Sequence, residues 1–179
     1  MQNDMRSDAF LSDAMEQYGD AVYRLALCRL DSRADAEDVF QDVFLRLLRD
    51  KTEFRDGEHL KAWLLRVTVN CCNDLRRSAW FKRTAPLEAA PDAAATMPET
   101  HSELWQAVHA LPDDLRTAVW LHYVEGYGTD EIASLVGCRP VTVRTRLHRA
   151  RKQLKHELEG LDDEQPEQVG YYEEYQSAR

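Results

Sequence analysis

The sequence of 179 residues has few of the residues that interrupt helices, with seven glycines and six prolines. Its four cysteines do not suggest a disulfide framework in a chain of this length, and none belongs to a C-x-x-C pair. No apolar run approaches the roughly 18 residues that a membrane span requires, so we expect no membrane insertion. The stretch 1–13 is polar and of mixed charge, which argues against a secretory signal peptide. These features predict a reduced, cytoplasmic protein.

The net charge of −9 would argue against nucleic acid as a partner, but the charge is segregated along the chain. Residues 139–156 contain seven lysines and arginines and no acid, whereas residues 161–179 contain six acids against one arginine. Such asymmetry indicates a local anion-binding surface rather than a uniformly acidic protein.

Apolar residues recur at helical spacing, and strict alternation of apolar and polar residues is scarce. Asp31 or Ser32 is placed to cap a helix whose apolar stripe comprises Ala36, Val39, Phe40, Val43, Phe44, Leu47 and Leu48. Residues 84–102 hold six alanines and three prolines with no lysine or arginine, which is typical of a linker. We therefore predict an all-α fold of two small helical domains joined by a flexible linker. The expected boundaries are 1–83, the linker 84–102, 103–160 and a disordered acidic tail 161–179.

The second predicted domain ends in two helices separated by a short turn. Thr129 is the expected N-cap of the first, Gly137 lies where a helix C-cap needs a left-handed residue, and Pro140 begins the second. At 100° per residue the second helix has two different sides. Its apolar side comprises Val143, Leu147, Ala150 and Leu154, and its polar side comprises Val141, Thr145, His148, Arg149 and Lys152. These two faces suit insertion into the DNA major groove; the alternative is a solvated basic helix on a bundle.

A second group of interest follows an apolar helix, because residues 70–83 interleave amides, cations and aromatics. Unpaired bases stack on aromatic rings and phosphates pair with cations, so this surface suits single-stranded nucleic acid. The alternative is a helix C-terminus enriched in arginine, which favours the helix dipole, with Trp80 and Phe81 in the core.

Several motifs together resemble the sigma-70 family. Residues 18–20, 35–44 and 62–70 resemble its region 2, and residues 111–116, 126–127, 131–133 and 143–151 resemble its region 4. Two such domains with a short linker are similar to the extracytoplasmic-function, or group IV, sigma factors, over about Tyr18 to Leu158. The resemblance implies a protein that binds core RNA polymerase and directs initiation at promoters, with no enzymatic activity, cofactor or metal site of its own.

The resemblance also implies which residues act. The β′ clamp helices of the polymerase would contact Asp38, Gln41, Asp42 and Phe44. The melted minus-10 element would contact Phe54, Arg55, Lys61, Trp63, Asn70, Asn73, Arg76 and Arg77. The minus-35 duplex would contact Arg139, Thr142, Arg144, Thr145, His148, Arg149 and Lys152. The family further implies the β flap of the polymerase and an anti-sigma factor as partners. His148 departs from the aromatic or aliphatic residue of many relatives.

Other interpretations stay open at this point. The chain could be a stand-alone helix-turn-helix regulator that never joins polymerase; a nuclease would need a metal cluster or a nucleophile and base that the sequence lacks. The acidic tail could solvate the chain or compete with DNA for the basic helix. Acids of the linker (Glu88, Asp92 and Glu99) could mimic RNA charge. Cys71 and Cys72 are expected to be small buried hydrophobes, with a zinc or redox site as the alternative.

Overall fold

The computed structural model describes residues 6–30, 32–83 and 103–159, with side chains up to residue 78 in the second range. It contains seven α-helices within those ranges and no strand, which confirms the all-α fold. The helices are α1 (Asp8–Arg29), α2 (Arg33–Arg49), α3 (Gly57–Arg83), α4 (Glu103–Ala110), α5 (Asp113–Val119), α6 (Thr129–Val136) and α7 (Pro140–Glu159). A π-helical turn, Trp120–Val124, continues α5. The expectations for the linker, the tail, Trp80 and Phe81 lie outside this description.

Local capping chemistry sets the helix boundaries. The Ser32 hydroxyl accepts the amide N–H of Asp35 at 3.2 Å, so Ser32 caps α2. Gly137 ends α6 at φ 69°, the left-handed conformation that favours glycine, and α7 begins at Pro140, as predicted. The expectation of Thr129 as an N-cap is wrong by one residue. Gly128 is the N-cap of α6, and its amide N–H donates a hydrogen bond to the Glu131 carboxylate at 2.8 Å.

Helices α1, α2 and α3 form the first helical group around one apolar core. The α2 stripe lies in it, with Val43 and Leu47 fully buried, and Leu64 of α3 is buried opposite them. Aromatic rings complete the packing, since the Phe40 and Phe44 centroids lie 4.9 Å apart. This core fixes the outward faces of α2 and α3.

Helices α4 to α7 form the second helical group. The apolar side of α7 is buried through Val143, Leu147 and Ala150, and it packs in one cluster with Ile132 and Leu135 of α6. The predicted division of α7 into a packed side and a polar side is therefore confirmed.

The two groups are in contact. Helix α1 packs on α5 and α3 packs on α6. A continuous buried cluster includes Leu25 and Leu65 of the first group with Leu111, Ala118 and Leu121 of the second. None of the described helices combines the length and apolar character of a membrane span.

Candidate nucleic-acid and protein-binding surfaces

The polar face of α7 is free of the core along its length. Thr145, His148, Arg149 and Lys152 are exposed, and Val141 is 56% exposed. The Thr145 hydroxyl donates to the Val141 carbonyl at 2.9 Å, which leaves its oxygen to accept from a base amino group. The exposed Val141 was absent from the predicted contacts, although its place on this face was evident from the periodicity, and its methyl groups suit a thymine methyl.

The remaining predicted duplex contacts flank this face. Arg139 and Arg144 are exposed, and Thr142 is half-buried. Arginine presents a planar fork of donors that matches phosphate oxygens and the guanine edge.

Not every cation of α7 is available to a ligand. Arg146 forms an ion pair with Asp114 at 2.6 Å, and the Arg151 Nε donates to the Tyr123 hydroxyl at 2.7 Å. The guanidinium of Arg151 also lies 5.8 Å from the Tyr123 ring centroid. These contacts anchor α7 to α5 and to the π-helical turn, so the cations of α7 divide into anchoring and outward-facing ones.

An acidic face lies on α2. Asp38, Gln41 and Asp42 are all exposed, and the two carboxylates stand at i and i+4, where side chains are neighbours. Leu45 continues this face one turn further on and is 45% exposed. Its position at i+3 from Asp42 was the signal that could have identified it. Such a surface suits a basic partner with an apolar contact at one end.

Phe44, which was also expected on this surface, is not exposed there. Phe44 is 4% exposed and belongs to the core of the first helical group. The physical reason is that Phe44 lies on the apolar stripe of α2, one position beyond the fully buried Val43.

The loop before α3 is built around Phe54. Its ring lies 6.5 Å from that of Phe10 in a stacked arrangement and 5.8 Å from that of Trp63 edge-on, with the Arg6 guanidinium 4.7 Å from its centroid. Phe54 and Trp63 are therefore half-buried anchors of the loop, whereas Arg55 beside them is exposed.

A capping contact fixes where α3 begins after this loop. The Asp56 carboxylate accepts the His59 amide at 2.7 Å. The Arg55 amide in turn donates to His59 Nδ1 at 3.3 Å, which orders the backbone at Arg55.

The other predicted strand contacts lie along α3. Asn70, Asn73 and Arg77 are exposed, while Lys61 and Arg76 are half-buried. The structure brings three of these residues together around a cleft of about 470 Å³, lined by Arg29, Asn73, Arg76, Arg77, Asp113 and Asp114. Asn70 lies outside that lining. The aspartates come from the start of α5, which local sequence patterns did not connect with α3.

Burial governs the chemistry of the cysteines. It raises the pKa of the Cys28 thiol to about 12 and that of Cys72 to about 11. Burial also raises the pKa of Cys71. The thiolate is the form that attacks electrophiles and binds metals, so these side chains are weak nucleophiles near neutral pH.

Two family models match the parts of the chain that contain these surfaces. The model described as Sigma-70 region 2 matches residues 14–82, and the model described as Sigma-70, region 4 matches residues 101–154. The first match covers the acidic face of α2 and those residues of the cleft that belong to α1 and α3. The second covers most of α7, including its polar face.

Individual relatives agree with these matches. The chain is 32% identical over 159 residues to the ECF RNA polymerase sigma factor SigE of Mycolicibacterium smegmatis, covering 82% of this chain and 60% of that relative. It is 32% identical over 152 residues to the ECF RNA polymerase sigma-E factor of Haemophilus influenzae, covering 75% and 80% respectively. The fold is similar to that of the sigma factor RpoE, solved with the anti-sigma factor NepR from Bartonella quintana. That similarity has a TM-score of 0.67 at 24% identity and covers 83% of this chain and 96% of the other.

Proposed function

The chain belongs to the sigma-70 family, among its extracytoplasmic-function (ECF) members, and from this premise we propose that it binds core RNA polymerase and directs promoter-specific initiation. This family consists of transcription initiation factors and is not a family of enzymes. The chain would act in the cytoplasm, together with the polymerase.

The observation that carries the proposal is the division of α7 into a buried apolar side and an exposed polar side. We assign the minus-35 duplex to this face. Arg149 and Arg144 supply donors for guanine or phosphate, and Thr145 and His148 supply short polar groups at the centre of the face. Arg139 and Lys152 lie towards its two ends and would hold the phosphate backbone, and Thr142 lies in the first turn of α7.

The minus-10 element is assigned to α3 and the loop before it. Asn70, Asn73 and Arg77 present amide and cationic groups on an exposed helix surface, which suits a melted strand. Lys61 and Arg76 add positive charge at the two ends of that surface. Arg55 is an exposed cation of the loop, and Phe54 and Trp63 hold the loop in place.

The acidic face of α2 (Asp38, Gln41 and Asp42) is assigned to the β′ clamp helices of the polymerase. Leu45 adds an apolar contact beside it. A stand-alone DNA-binding regulator has no need of such a surface, and the region 2 match over residues 14–82 does not favour that alternative. The second helical group would meet the β flap. An anti-sigma factor would restrain the chain, as NepR accompanies the structurally similar RpoE.

Assembly with core polymerase tests this proposal. The chain and bacterial core RNA polymerase should co-elute from a sizing column in a one-to-one complex. The double variant Asp38→Lys, Asp42→Lys should not co-elute, because it reverses the charge of the acidic face of α2. The matched control is Asp13→Lys, Glu16→Lys, which makes the same charge change at exposed positions of α1 and should bind like wild type. Failure of the wild-type chain to bind, or equal loss in both variants, would contradict the proposal.

A further inference from the structure

One arginine from outside the loop before α3 (residues 50–56) contacts that loop at several points. The loop joins α2 to α3, and residues 51–54 within it adopt neither helix nor turn. Arg6 precedes α1, and its amide donates to the Leu48 carbonyl in the last turn of α2 at 3.1 Å. This backbone hydrogen bond places the Arg6 side chain beside the loop.

The polar contacts of Arg6 hold the first part of the loop. Its guanidinium donates to the Thr52 carbonyl and lies 3.9 Å from the Asp50 carboxylate. The same carboxylate accepts the Thr52 amide at 2.7 Å. Both backbone groups of Thr52 are therefore bound, one by Arg6 directly and the other by the carboxylate that pairs with Arg6. The Arg6 side chain is only 18% exposed, so salt screens this pair less than an open surface pair.

The aromatic contacts of Arg6 hold the end of the loop. Its guanidinium lies over the rings of Phe10 and Phe54, at 4.8 Å and 4.7 Å from their centroids. Both distances fall within the range of a cation–π contact. The Phe54 ring also meets the His59 ring edge-on at 5.4 Å, and His59 accepts the amide of Arg55. The chain of contacts from Arg6 therefore reaches the exposed cation of the loop.

These contacts require the particular chemistry of arginine. A guanidinium is a planar fork of donors that can bind a carbonyl and a carboxylate while it covers aromatic rings. A lysine ammonium could reach the carbonyl or the carboxylate, but it has no plane to lay over two rings. Arg6 also precedes residues 14–82, which the region 2 model matches, so the family resemblance assigned it no role.

We propose that Arg6 is a positioning residue, which holds the loop before α3 in the conformation that captures the minus-10 strand. Arg6 acts through the backbone of Thr52 and the ring of Phe54, and no DNA contact is assigned to Arg6 itself. Base-specific capture needs groups that are held in fixed positions by their supporting contacts. A loop that is ordered before binding also avoids the cost of ordering during binding. The role in strand capture rests on the proposed function, whereas the fixing of the loop by Arg6 does not.

Hydrogen–deuterium exchange of the isolated full-length chain tests whether Arg6 fixes the loop. Arg6→Ala should speed exchange of the amides of residues 50–56 by about tenfold, because local opening of the loop becomes easier. Arg6→Lys keeps the charge without the fork and should give an intermediate rate. The matched control is Arg24→Ala, which removes an arginine from its 3.1 Å ion pair with Asp20 on α1 and should leave the loop unchanged. Unchanged loop exchange in Arg6→Ala, or equal acceleration throughout α1 to α3, would overturn the proposal.

The role in strand capture is tested with the holoenzyme, which is core RNA polymerase with the full chain bound. Its affinity is measured for two fluorescent single strands. One carries the minus-10 element of a promoter that the wild-type holoenzyme selects from genomic DNA, and in the other that element is scrambled. Arg6→Ala should lower the preference for the first strand by about tenfold, because specific binding scales with the fraction of chains whose loop is competent. Assembly with core polymerase should be unchanged.

The ratio of the two affinities separates positioning from a general loss of structure. A chain that is merely less folded would bind both strands more weakly and keep the wild-type ratio. An unchanged ratio in Arg6→Ala would therefore overturn the role of Arg6 in strand capture. A wild-type holoenzyme that prefers neither strand would contradict the proposed function instead, and the exchange rates alone then decide whether Arg6 fixes the loop.

Discussion

Replacing Arg149 by glutamine should reduce the salt dependence of duplex DNA binding by the contribution of one phosphate contact. Four of the residues assigned to the minus-35 duplex are exposed cations, namely Arg139, Arg144, Arg149 and Lys152. Each phosphate neutralised contributes about −0.9 to the slope of log K against log salt, so four predict about −3.6 and three about −2.7. Between roughly 50 and 200 mM salt, affinity should then fall about 150-fold for wild type and about 40-fold for the variant.

Fluorescence anisotropy with a short duplex of mixed sequence measures these slopes, since the electrostatic part of binding does not depend on sequence. The matched control is Arg49→Gln, which removes the same charge from an exposed position in the last turn of α2. It should retain the wild-type slope. Identical slopes for wild type and Arg149→Gln, or an equal reduction in Arg49→Gln, would refute the assignment of DNA to α7.

Two further predictions concern stability. Leu47→Ala should lower the free energy of unfolding by about 3 kcal/mol, because Leu47 is fully buried. Leu45→Ala on the same helix should lower it by under about 1 kcal/mol, because Leu45 is 45% exposed. Urea unfolding of the two variants measures both losses, and similar losses would contradict the burial argument. Burial raises the folded-state pKa of Cys28 to about 12 and that of Cys72 to about 11, above the unfolded pKa of about 8.5. The two protonated thiols therefore stabilise the fold fully below the unfolded pKa. This stability is lost as the pH rises towards the folded-state pKa values. The urea midpoint should therefore fall between pH 8 and 10 more steeply in wild type than in Cys28→Ala, Cys72→Ala, and parallel pH profiles would show that the thiols are not the cause.

The features predicted correctly from the sequence are those that neighbouring residues decide. Gly137 and Pro140 set the α6–α7 turn through their own backbone preferences, and the two faces of α7 follow from helical periodicity. The N-cap of α6 is Gly128 and not the predicted Thr129, because the Glu131 side chain, three residues after Gly128, accepts a hydrogen bond from the Gly128 amide.

Phe44 illustrates two kinds of sequence inference in conflict. Its place on the apolar stripe of α2 predicts burial, whereas the family resemblance placed it on the polymerase surface. Phe44 is buried, as the stripe predicts, and the exposed apolar residue next to the carboxylates is Leu45. Periodicity was the better guide here because it depends on the physical requirement that an amphipathic helix bury one side.

The contact between the helical groups could not be predicted from the sequence. Lys61 and Glu125, like Arg76 and Asp113, are distant in the chain, and each is an ordinary surface residue in its own local pattern. Their pairing depends on how α1 and α3 pack on α5 and α6, which is a tertiary property. The same packing explains why residues predicted to bind a DNA strand were found with carboxylate partners.

The central claim is that the chain directs polymerase to particular promoters, and transcription in vitro tests it most directly. Core RNA polymerase from the source bacterium would transcribe fragmented genomic DNA with and without the chain, and the RNA 5′ ends would be sequenced. We expect a discrete set of new start sites that share one element near −35 and one near −10, and loss of that set with the Asp38→Lys, Asp42→Lys variant. Formation of the polymerase complex without any new start site would contradict the claim.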